Sequence, residues 1–228
     1  MKPGDVAVDV GANSADWTYE LSRRVGPSGF VYAFEADPYY ALATDLAIRL
    51  MRMKSVKLFR FGLSDKLEDL PLRIETESGQ RHSGLGHVDR QAKSRDRGVE
   101  VVKLVPLDSL VTEYPRLAQT ALIKVDVEGF ELFVVRGAAR IIDGSRPFVI
   151  LETGRFEDQG YTAGDLHRFF ADRRYLAFAP TGPDAWSPTN DQFEHEGALS
   201  VNRLLVPEEK RSVMERFTAR EAAPSRAR

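Results

Sequence analysis

The first strand and turn of the chain read Val6-Ala7-Val8-Asp9-Val10-Gly11-Ala12-Asn13-Ser14-Ala15-Asp16-Trp17-Thr18. This segment consists of an apolar strand, a turn of small residues and the start of an apparent helix. A second apolar strand, Phe30-Val31-Tyr32-Ala33-Phe34-Glu35, ends in an acid, as the ribose-binding second strand of a nucleotide-binding sheet does. The two segments together predict a binding corner for a nucleotide-type ligand in an α/β protein.

The turn after the first strand favours one class of nucleotide. Gly11 permits a tight turn, and a helix that starts near Ser14 points unpaired N–H groups at the ligand. A dinucleotide site normally uses three glycines, but Asn13 and Ala15 stand at the later positions here. The carboxylate of Asp9 would repel a pyrophosphate and suit a cation. The turn therefore favours an amino-acid-bearing nucleoside over NAD.

Apolar runs alternate with helix-like segments along the chain, which is typical of a doubly wound sheet. The pattern predicts strands near residues 5–10, 29–35, 56–61, 120–126, 147–152, 175–180 and 199–206, and helices near 15–25, 38–52, 130–137 and 163–173, with a helical turn near 107–113. The last two strands lack a helical crossover, so we expect them to form an antiparallel hairpin. An all-parallel dinucleotide-binding sheet has no such hairpin.

Five blocks of the sequence resemble the FkbM family of S-adenosylmethionine-dependent methyltransferases. The blocks are Asp9–Asn13 (DVGAN), Phe34–Pro38 (FEADP), Gly62–Asp65 (GLSD), Val105–Leu110 (VPLDSL) and Ile123–Glu131 (IKVDVEGFE). The resemblance covers roughly residues 3–206. It implies a Rossmann-like class I methyltransferase sheet, mostly parallel with a C-terminal antiparallel hairpin, and S-adenosyl-L-methionine as the cofactor. Family members usually carry glycine where this chain has Ala15, so an added methyl group is expected close to the cofactor.

The residues expected to bind the cofactor follow from the corner and from the resemblance. Glu35 should accept hydrogen bonds from the two ribose hydroxyls. The resemblance implies that Asp65 meets the adenine amino group, although an Asx-turn would explain the same residue. The full expected set is Asp9, Gly11, Asn13, Glu35, Asp65 and Asp126.

Candidate catalytic residues lie after the fourth and fifth core strands and in a loop. Asp126 and Glu128 should face the side on which open α/β sheets bind ligands, where one of them could deprotonate an acceptor hydroxyl; the alternative is that they cap the following helix. His82 and His87 are further candidate bases. Glu152, at the end of the fifth strand, is a candidate for substrate contact.

An insertion at about residues 66–104 interrupts the core pattern. It begins and ends with strand-like segments, Leu70-Pro71-Leu72-Arg73-Ile74 and Val99-Glu100-Val101-Val102-Lys103-Leu104, and its tip at residues 78–98 is rich in glycine and cations. A hairpin lid that closes over an anionic acceptor would fit this pattern. A solvated loop whose charges have no function would fit it as well.

Composition limits the classes of function. The chain has 228 residues and a formal net charge of −2, so the sequence predicts a single methyltransferase domain at residues 1–206, a C-terminal helix and frayed tail at 207–228, and neither a nucleic-acid nor a membrane partner. There is no cysteine, and the first strand begins almost at once, which leads us to expect a cytoplasmic protein. No dense acid cluster suggests a metal site.

The predicted function is O-methylation of a hydroxyl on a sugar, a polyketide or another secondary metabolite, the substrate class that the family resemblance implies. Two alternatives come from other classes. An NAD-type oxidoreductase is opposed by the missing glycines and the terminal hairpin, and a non-catalytic S-adenosylmethionine-binding protein is favoured slightly by Ala15. The acceptor and the oligomeric state are not encoded in any motif.

Overall fold

The computed structural model describes residues 1–75, 86–153, 159–182, 185–190, 193 and 201–217. In chain order the strands of the described residues are β1 (Val6–Val10), β2 (Phe30–Phe34), β3 (Val56–Phe59), β4 (Gly62–Leu63), β5 (Glu68–Arg73), β6 (His87–Val88), β7 (Val99–Val105), β8 (Thr120–Val125), β9 (Phe148–Thr153), β10 (Tyr175–Gly182), β11 (Ala185–Pro188) and β12 (Val201–Pro207). The helices are α1 (Asp16–Val25), α2 (Pro38–Leu50), α3 (Glu131–Gly137), α4 (Ala139–Ser145) and α5 (Ala163–Ala171).

The main sheet has eight strands in the order β11-β10-β12-β9-β8-β1-β2-β3. Strands β9, β8, β1, β2 and β3 pair in parallel, whereas β12 runs antiparallel to both β9 and β10. The predicted α/β sheet with an antiparallel C-terminal hairpin is therefore confirmed. Because β1 lies between β2 and β8, the carboxyl ends of these three strands meet at one edge.

The buried faces follow from the sequence pattern. Every residue of β1 is buried, as expected for a central parallel strand with both faces covered. One large apolar core lies on the side of Val8, Val10 and Val125, and a smaller one containing Ala7, Leu122 and residues of α1 lies on the other side. The ends of the strands are thus held by rigid packing on both faces of the sheet.

A second sheet has four strands in the order β4-β7-β5-β6. Strands β5 and β7 contain most of the two strand-like ends of the predicted insertion, and they pair antiparallel from Glu68↔Leu104 to Arg73↔Val99. The short strand β6 extends this sheet beyond β5. The first part of the predicted basic tip at residues 78–98 lies outside the described residues, since residues 76–85, which include His82, are not described.

The boundaries differ from the sequence prediction in several places. Helix α4 follows α3 directly, a 3₁₀-helix occupies Pro115–Gln119, and β11 lies in the connection between the last two predicted strands. The predicted C-terminal helix is a 3₁₀-helix at Glu208–Arg216, and the predicted frayed end at residues 218–228 lies outside the described residues. These are short elements that tertiary contacts stabilise, and their periodicity is too brief to be read from sequence.

No helix in the described part of the chain combines the length and the apolar character needed to cross a bilayer.

Candidate functional site

The turn after β1 requires glycine at position 11. Gly11 has φ +77°, and a Cβ atom at this position would lie 1.9 Å from the backbone oxygen of Asp126. The N–H groups of Gly11 and Ala12 both donate to the Phe34 carbonyl at 3.0 Å. The turn is therefore pressed against the ends of both neighbouring strands, as the close approach predicted for Gly11 implies.

Glu35 lies directly after β2 with its carboxylate held from two sides. The N–H of Asn13 donates to Oε2 at 2.7 Å, and the N–H of Asp37 donates to Oε1 at 2.8 Å. Only 8% of Glu35 is exposed. Burial raises its pKa to about 6, against the lowering effect of the two N–H groups and of the nearby Lys124 cation. The side chain is thus fixed at the wall of a cavity.

This cavity lies at the carboxyl ends of β1, β2 and β8 and is partly open to solvent. Its described lining contains four carboxyl side chains and no lysine or arginine. The lining residues are Val10, Gly11, Asn13, Phe34, Glu35, Ala36, Asp37, Tyr40, Gly62, Leu63, Leu72, Gly86, Val88, Leu104, Asp126, Val127, Glu128 and Phe130. An acidic lining suits a cationic ligand and opposes a pyrophosphate.

Lys124 is a buried cation behind the cavity that the sequence analysis did not single out. Its Nζ donates to the Gly11 carbonyl at 3.0 Å and lies 3.1 Å from Asp126 Oδ2 and 3.7 Å from Asp9 Oδ1. Thr18 donates its hydroxyl to Asp9 Oδ2 at 2.5 Å. The amine therefore ties the first turn to the end of β8 and neutralises two carboxylates.

Asp9, predicted to bind the cofactor, lies behind the cavity wall. Its side chain is fully buried and does not line the cavity, and burial raises its pKa while Lys124 and Thr18 lower it. The acid pairs with Lys124 across neighbouring strands, where Asp9 and Lys124 are directly opposite. The acids that could face a cationic ligand are the cavity carboxylates instead.

The loop after β8 is held by Glu131 from within the core. Glu131 is 1% exposed, and its Oε1 accepts N–H bonds from Gly129 at 3.1 Å and Val127 at 3.4 Å. The Tyr161 hydroxyl lies 2.9 Å from the Gly129 carbonyl and 3.1 Å from Glu131 Oε2. Burial raises the pKa of Glu131 to about 7. This network fixes the loop that carries Asp126 and Glu128.

Glu128 lines the cavity with a left-handed backbone. Its φ is +52°, which is uncommon for a residue other than glycine, and the following Gly129 has φ +99°. Such conformations persist where the surroundings impose them and occur often at functional sites. Asp126 and Glu128 both reach the cavity wall, so the turn does not separate the two predicted catalytic acids.

The second sheet forms one wall of the cavity. Leu72 of β5, Gly86, Val88 of β6 and Leu104 of β7 all line it. Gln159 donates its side-chain amide to the Val88 carbonyl at 2.6 Å and so anchors β6 to the segment before α5. The insertion is therefore part of the site in this structure.

Three other predicted site residues lie away from the cavity lining. Asp65 is exposed, because the chain turns after β4 and the Ser64 carbonyl packs against Gly137, where a Cβ would lie 1.9 Å from it. His87 pairs with Arg73 in the ladder, next to the pair of Leu72 and Val88 that faces the cavity, so strand alternation directs His87 to the other face. Glu152 pairs with Asn202 of β12 and is not among the residues that line the cavity.

Ala15 acts on the backbone rather than on the cavity. It has φ +73°, is 1% exposed and does not line the cavity. The added methyl group is therefore accommodated outside the cavity lining. The left-handed backbone supplies a physical reason for glycine at this position in relatives.

A family model described as a methyltransferase FkbM domain matches residues 9–177. The chain belongs to the FkbM methyltransferase family. The match includes all five sequence blocks, so the resemblance is confirmed. Membership of this family also confirms S-adenosyl-L-methionine as the cofactor.

Two proteins similar to this FkbM chain show how far the likeness extends. Methyltransferase 1 from Beauveria bassiana (strain ARSEF 2860) is 29% identical over 143 residues, which are 57% of this chain and 57% of that protein. The crystal structure of an FkbM methyltransferase from Methylobacillus flagellatus KT superposes with a TM-score of 0.57 at 14% identity, covering 90% of this chain and 44% of that one. This chain thus spans about half the length of these two proteins.

A third similar structure is that of a putative rRNA-methylase from Clostridium thermocellum. It has a TM-score of 0.51 at 9% identity and covers 90% of this chain and 88% of that one. At such low identity the likeness concerns the fold alone.

The residues of the corner fit S-adenosylmethionine. A ribose needs acceptors for two hydroxyls, and Glu35 presents a fixed carboxylate at the cavity wall. The sulfonium and ammonium groups of this cofactor are cations, and Asp126 and Glu128 add negative charge to the lining. Among the described residues no group of three or more His, Cys, Asp or Glu is arranged to hold a metal ion.

Proposed function

We propose that this chain is an S-adenosylmethionine-dependent O-methyltransferase that acts on a hydroxyl of a small molecule, such as a sugar, a polyketide or another secondary metabolite. The observation that carries the proposal is the buried Glu35 carboxylate, held by two N–H groups in a cavity whose described lining has four acids and no lysine or arginine.

Different parts of the cavity suit different parts of the cofactor. Glu35 would accept the ribose hydroxyls, since charge-assisted bonds to a carboxylate are the stronger kind. The apolar surface of Ala36, Leu63 and Leu104 would pack against adenine. The acid of Asp126, beside the Gly11 turn, would lie towards the cationic amino-acid portion. When bound, S-adenosylmethionine supplies an electrophilic methyl group on a sulfonium.

Glu128 is our candidate for the general base, because it lines the cavity at the turn beyond Asp126. Asp126 lies 3.1 Å from the Lys124 amine, and this ion pair holds its side chain near the Gly11 turn. Glu128 also lines the cavity and is held by a strained backbone. In the proposed reaction Glu128 would take the proton of the acceptor hydroxyl, and the cofactor, held by Glu35 and Asp126, would supply the methyl group and leave as a neutral thioether.

The remaining contribution of the protein would be alignment and exclusion of water. Holding the reacting atoms about 3–3.5 Å apart is worth up to about 7–11 kcal/mol. The second sheet, whose residues Leu72 and Val88 line the cavity, would act as the cover. We place no role on His82, which lies outside the described residues, and His87 faces away from the lining.

A small molecule is favoured over nucleic acid as the acceptor. Acids at the cavity would repel a phosphate backbone, and the chain has a net charge of −2. The similar putative rRNA-methylase shares the fold alone. A cytoplasmic location and a single catalytic domain remain part of the proposal.

Calorimetric titration with S-adenosylmethionine, S-adenosylhomocysteine and NAD tests the cofactor site. We expect the two adenosyl ligands to bind and NAD not to bind. Glu35→Gln should weaken binding at least tenfold, whereas Glu20→Gln, a matched change on the exposed face of α1, should leave it unchanged. Binding of NAD without binding of either adenosyl ligand would overturn the proposal and support an oxidoreductase.

Product formation separates an enzyme from a binding protein. Transfer of a labelled methyl group to any member of a panel of hydroxylated small molecules would support catalysis. Tight cofactor binding without transfer to alcohols, amines or RNA would favour the alternative of a non-catalytic S-adenosylmethionine-binding protein.

A further inference from the structure

Helix α2 is apolar on the face that points away from the protein. Its inner face buries the small residues Ala41 and Thr44, and the partly buried Ile48 lies on the same face one turn further along. Its outer face carries Leu42, Leu46 and Leu50, which are 58%, 56% and 73% exposed. A surface helix normally has the opposite arrangement, with its largest apolar side chains inside.

These leucines belong to a continuous exposed row. Tyr39, Leu42, Leu46 and Leu50 follow a spacing that keeps side chains on one helix face, and Met51 extends the row at the end of the helix. We call these five residues the leucine row. Of the eleven large apolar side chains exposed in the described residues, the row contains five. It runs for about 16 Å along α2.

Cations lie in the C-terminal half of α2 and in the segments that follow it. Arg49, Arg52, Lys54 and Arg60 are all exposed, and Arg60 reaches the helix through its ion pair with Asp45. The acid on this side of the helix is Asp45, which lies 2.7 Å from Arg49 and 2.9 Å from Arg60. The surface is therefore locally positive, although the whole chain has a net charge of −2.

A second copy of the chain fits this surface poorly. No acidic residue occupies the first turn of α2, and Asp45 is already shared by two arginines. Two leucine rows packed together, in either direction, would leave the cations without acids from the other helix. An anionic partner would pair with them.

The shape of the surface favours a lipid bilayer over a protein. The leucine row protrudes, with more than half of each side chain exposed, and Tyr39, Leu42, Leu46, Leu50 and Met51 do not line the cavity described above. A partner protein would need a complementary groove, whereas a bilayer accepts an apolar ridge of any shape. Apolar side chains flanked by lysine and arginine are the pattern of helices that lie in a membrane interface.

We propose that the leucine row and its neighbouring cations form a binding surface for the headgroup region of an anionic phospholipid bilayer. The leucines enter the acyl boundary, and Arg49, Arg52, Lys54 and Arg60 contact lipid phosphates. No membrane partner was expected from the net charge of −2. That value is a sum over the whole chain, so it does not show the local excess of cations beside α2.

The proposed surface has a defined relation to the cavity. Asp37 caps the start of α2, and both Asp37 and Tyr40 line the cavity. The same rigid helix therefore connects the lipid-binding face to the candidate active site. Attachment would hold the cavity close to the membrane surface.

Vesicle sedimentation tests this proposal independently of catalysis. The full chain is mixed with vesicles of phosphatidylcholine alone or of phosphatidylcholine with phosphatidylglycerol. We expect binding to the anionic vesicles that is at least tenfold stronger than to the neutral ones. Leu46→Gln/Leu50→Gln and Arg52→Glu/Lys54→Glu should each reduce it at least tenfold.

Matched changes elsewhere control for general effects. Leu67→Gln removes a leucine that is 68% exposed outside the row, and Arg211→Glu reverses an exposed charge on the C-terminal 3₁₀-helix. Both should bind vesicles like the wild type, and thermal melting should show all variants folded. No vesicle binding, or equal binding by Leu46→Gln/Leu50→Gln, would overturn the proposal. If the wild type formed a dimer and bound no vesicles, and Leu46→Gln/Leu50→Gln disrupted that dimer, the proposal would also be overturned. The leucine row would then be a contact surface for a second copy of the chain.

Discussion

Gly11 and Asp126 touch through their backbones across neighbouring strands, because a Cβ atom on Gly11 would lie 1.9 Å from the Asp126 carbonyl oxygen. Position 11 also has φ +77°. The contact joins the turn proposed to approach the cofactor to the loop proposed to carry the catalytic acids. The close packing of the loops after β1 and β8 therefore requires that position 11 has no side chain.

Gly11→Ala should therefore disrupt the site. We expect the free energy of unfolding to fall by more than about 2 kcal/mol, since both strain and a clash with backbone are introduced. Binding of S-adenosylhomocysteine should weaken at least tenfold. Gly144→Ala is the control, because its Cβ would meet nothing within 4 Å in helix α4. Thermal melting and calorimetric titration of both variants test the expectation, and equal behaviour of the two would contradict it.

The pKa of Glu35 predicts how cofactor affinity depends on pH. Burial raises this pKa to about 6, with Asp37 adding to the increase and Lys124 opposing it. If the ionised carboxylate binds the ribose, the dissociation constant of S-adenosylhomocysteine should be constant above pH 7 and rise towards tenfold per pH unit below 6. Titrations at several pH values measure this, and Glu35→Gln should bind weakly without the rise. A wild-type affinity that is flat from pH 5 to 8 would rule out the assigned role.

Lys124 and Asp9 should depend on each other energetically. Lys124→Met leaves the fully buried Asp9 carboxylate without its cation, and such a loss typically costs about 3–5 kcal/mol. Asp9→Asn/Lys124→Met removes both charges and keeps an acceptor for the Thr18 hydroxyl. Urea unfolding should show that the double variant recovers part of the stability lost in the single one. Additive losses would mean that the pair is not coupled.

The corner was predictable from the sequence because its determinants are local. Gly11 marks a turn, and Glu35 ends a strand of alternating or apolar residues, so both could be placed from neighbours in the chain. The position of Asp9 could not be obtained this way. Whether a strand-end acid faces a ligand or a buried amine depends on β8, more than a hundred residues later, where Lys124 supplies the cation.

Other site features depend on tertiary contacts even more strongly. A charged residue inside the apolar run Leu122–Val127 signals a buried partner, and Lys124 could have been singled out on that ground. Glu131 reads as a helix-start acid in sequence, but Tyr161 and the loop N–H groups make it a buried anchor. His87 was predicted from its loop position, and only the strand pairing shows which face it occupies.

Glu131 should make stability fall as pH rises through the range from about 4.5 to about 7. Its pKa is raised from 4.5 to about 7 in the folded protein, so the folded state binds more protons than the unfolded state within this range. The stabilisation is complete below the unfolded pKa and is lost as pH rises through the folded one, by about 3 kcal/mol. Glu131→Gln, which keeps an acceptor for the Gly129 N–H, should lack this component. Chemical unfolding of the wild type and of Glu131→Gln from pH 4.5 to 7 measures this difference. Parallel curves of unfolding free energy against pH would show that Glu131 makes no such contribution.

The proposed base is tested by comparing two acids on the same loop. Glu128→Gln removes a proton acceptor and keeps shape, so kcat should fall about 10²–10⁴-fold while the affinity for S-adenosylhomocysteine stays unchanged. Asp126→Asn leaves the buried Lys124 amine without its 3.1 Å partner, so it should weaken cofactor binding and stability as well as rate. Single-turnover methyl transfer with an accepted alcohol, together with titration of the cofactor product, separates the two effects. The opposite result would be a normal kcat for Glu128→Gln and a lost kcat at unchanged cofactor affinity for Asp126→Asn. It would assign the proton transfer to Asp126.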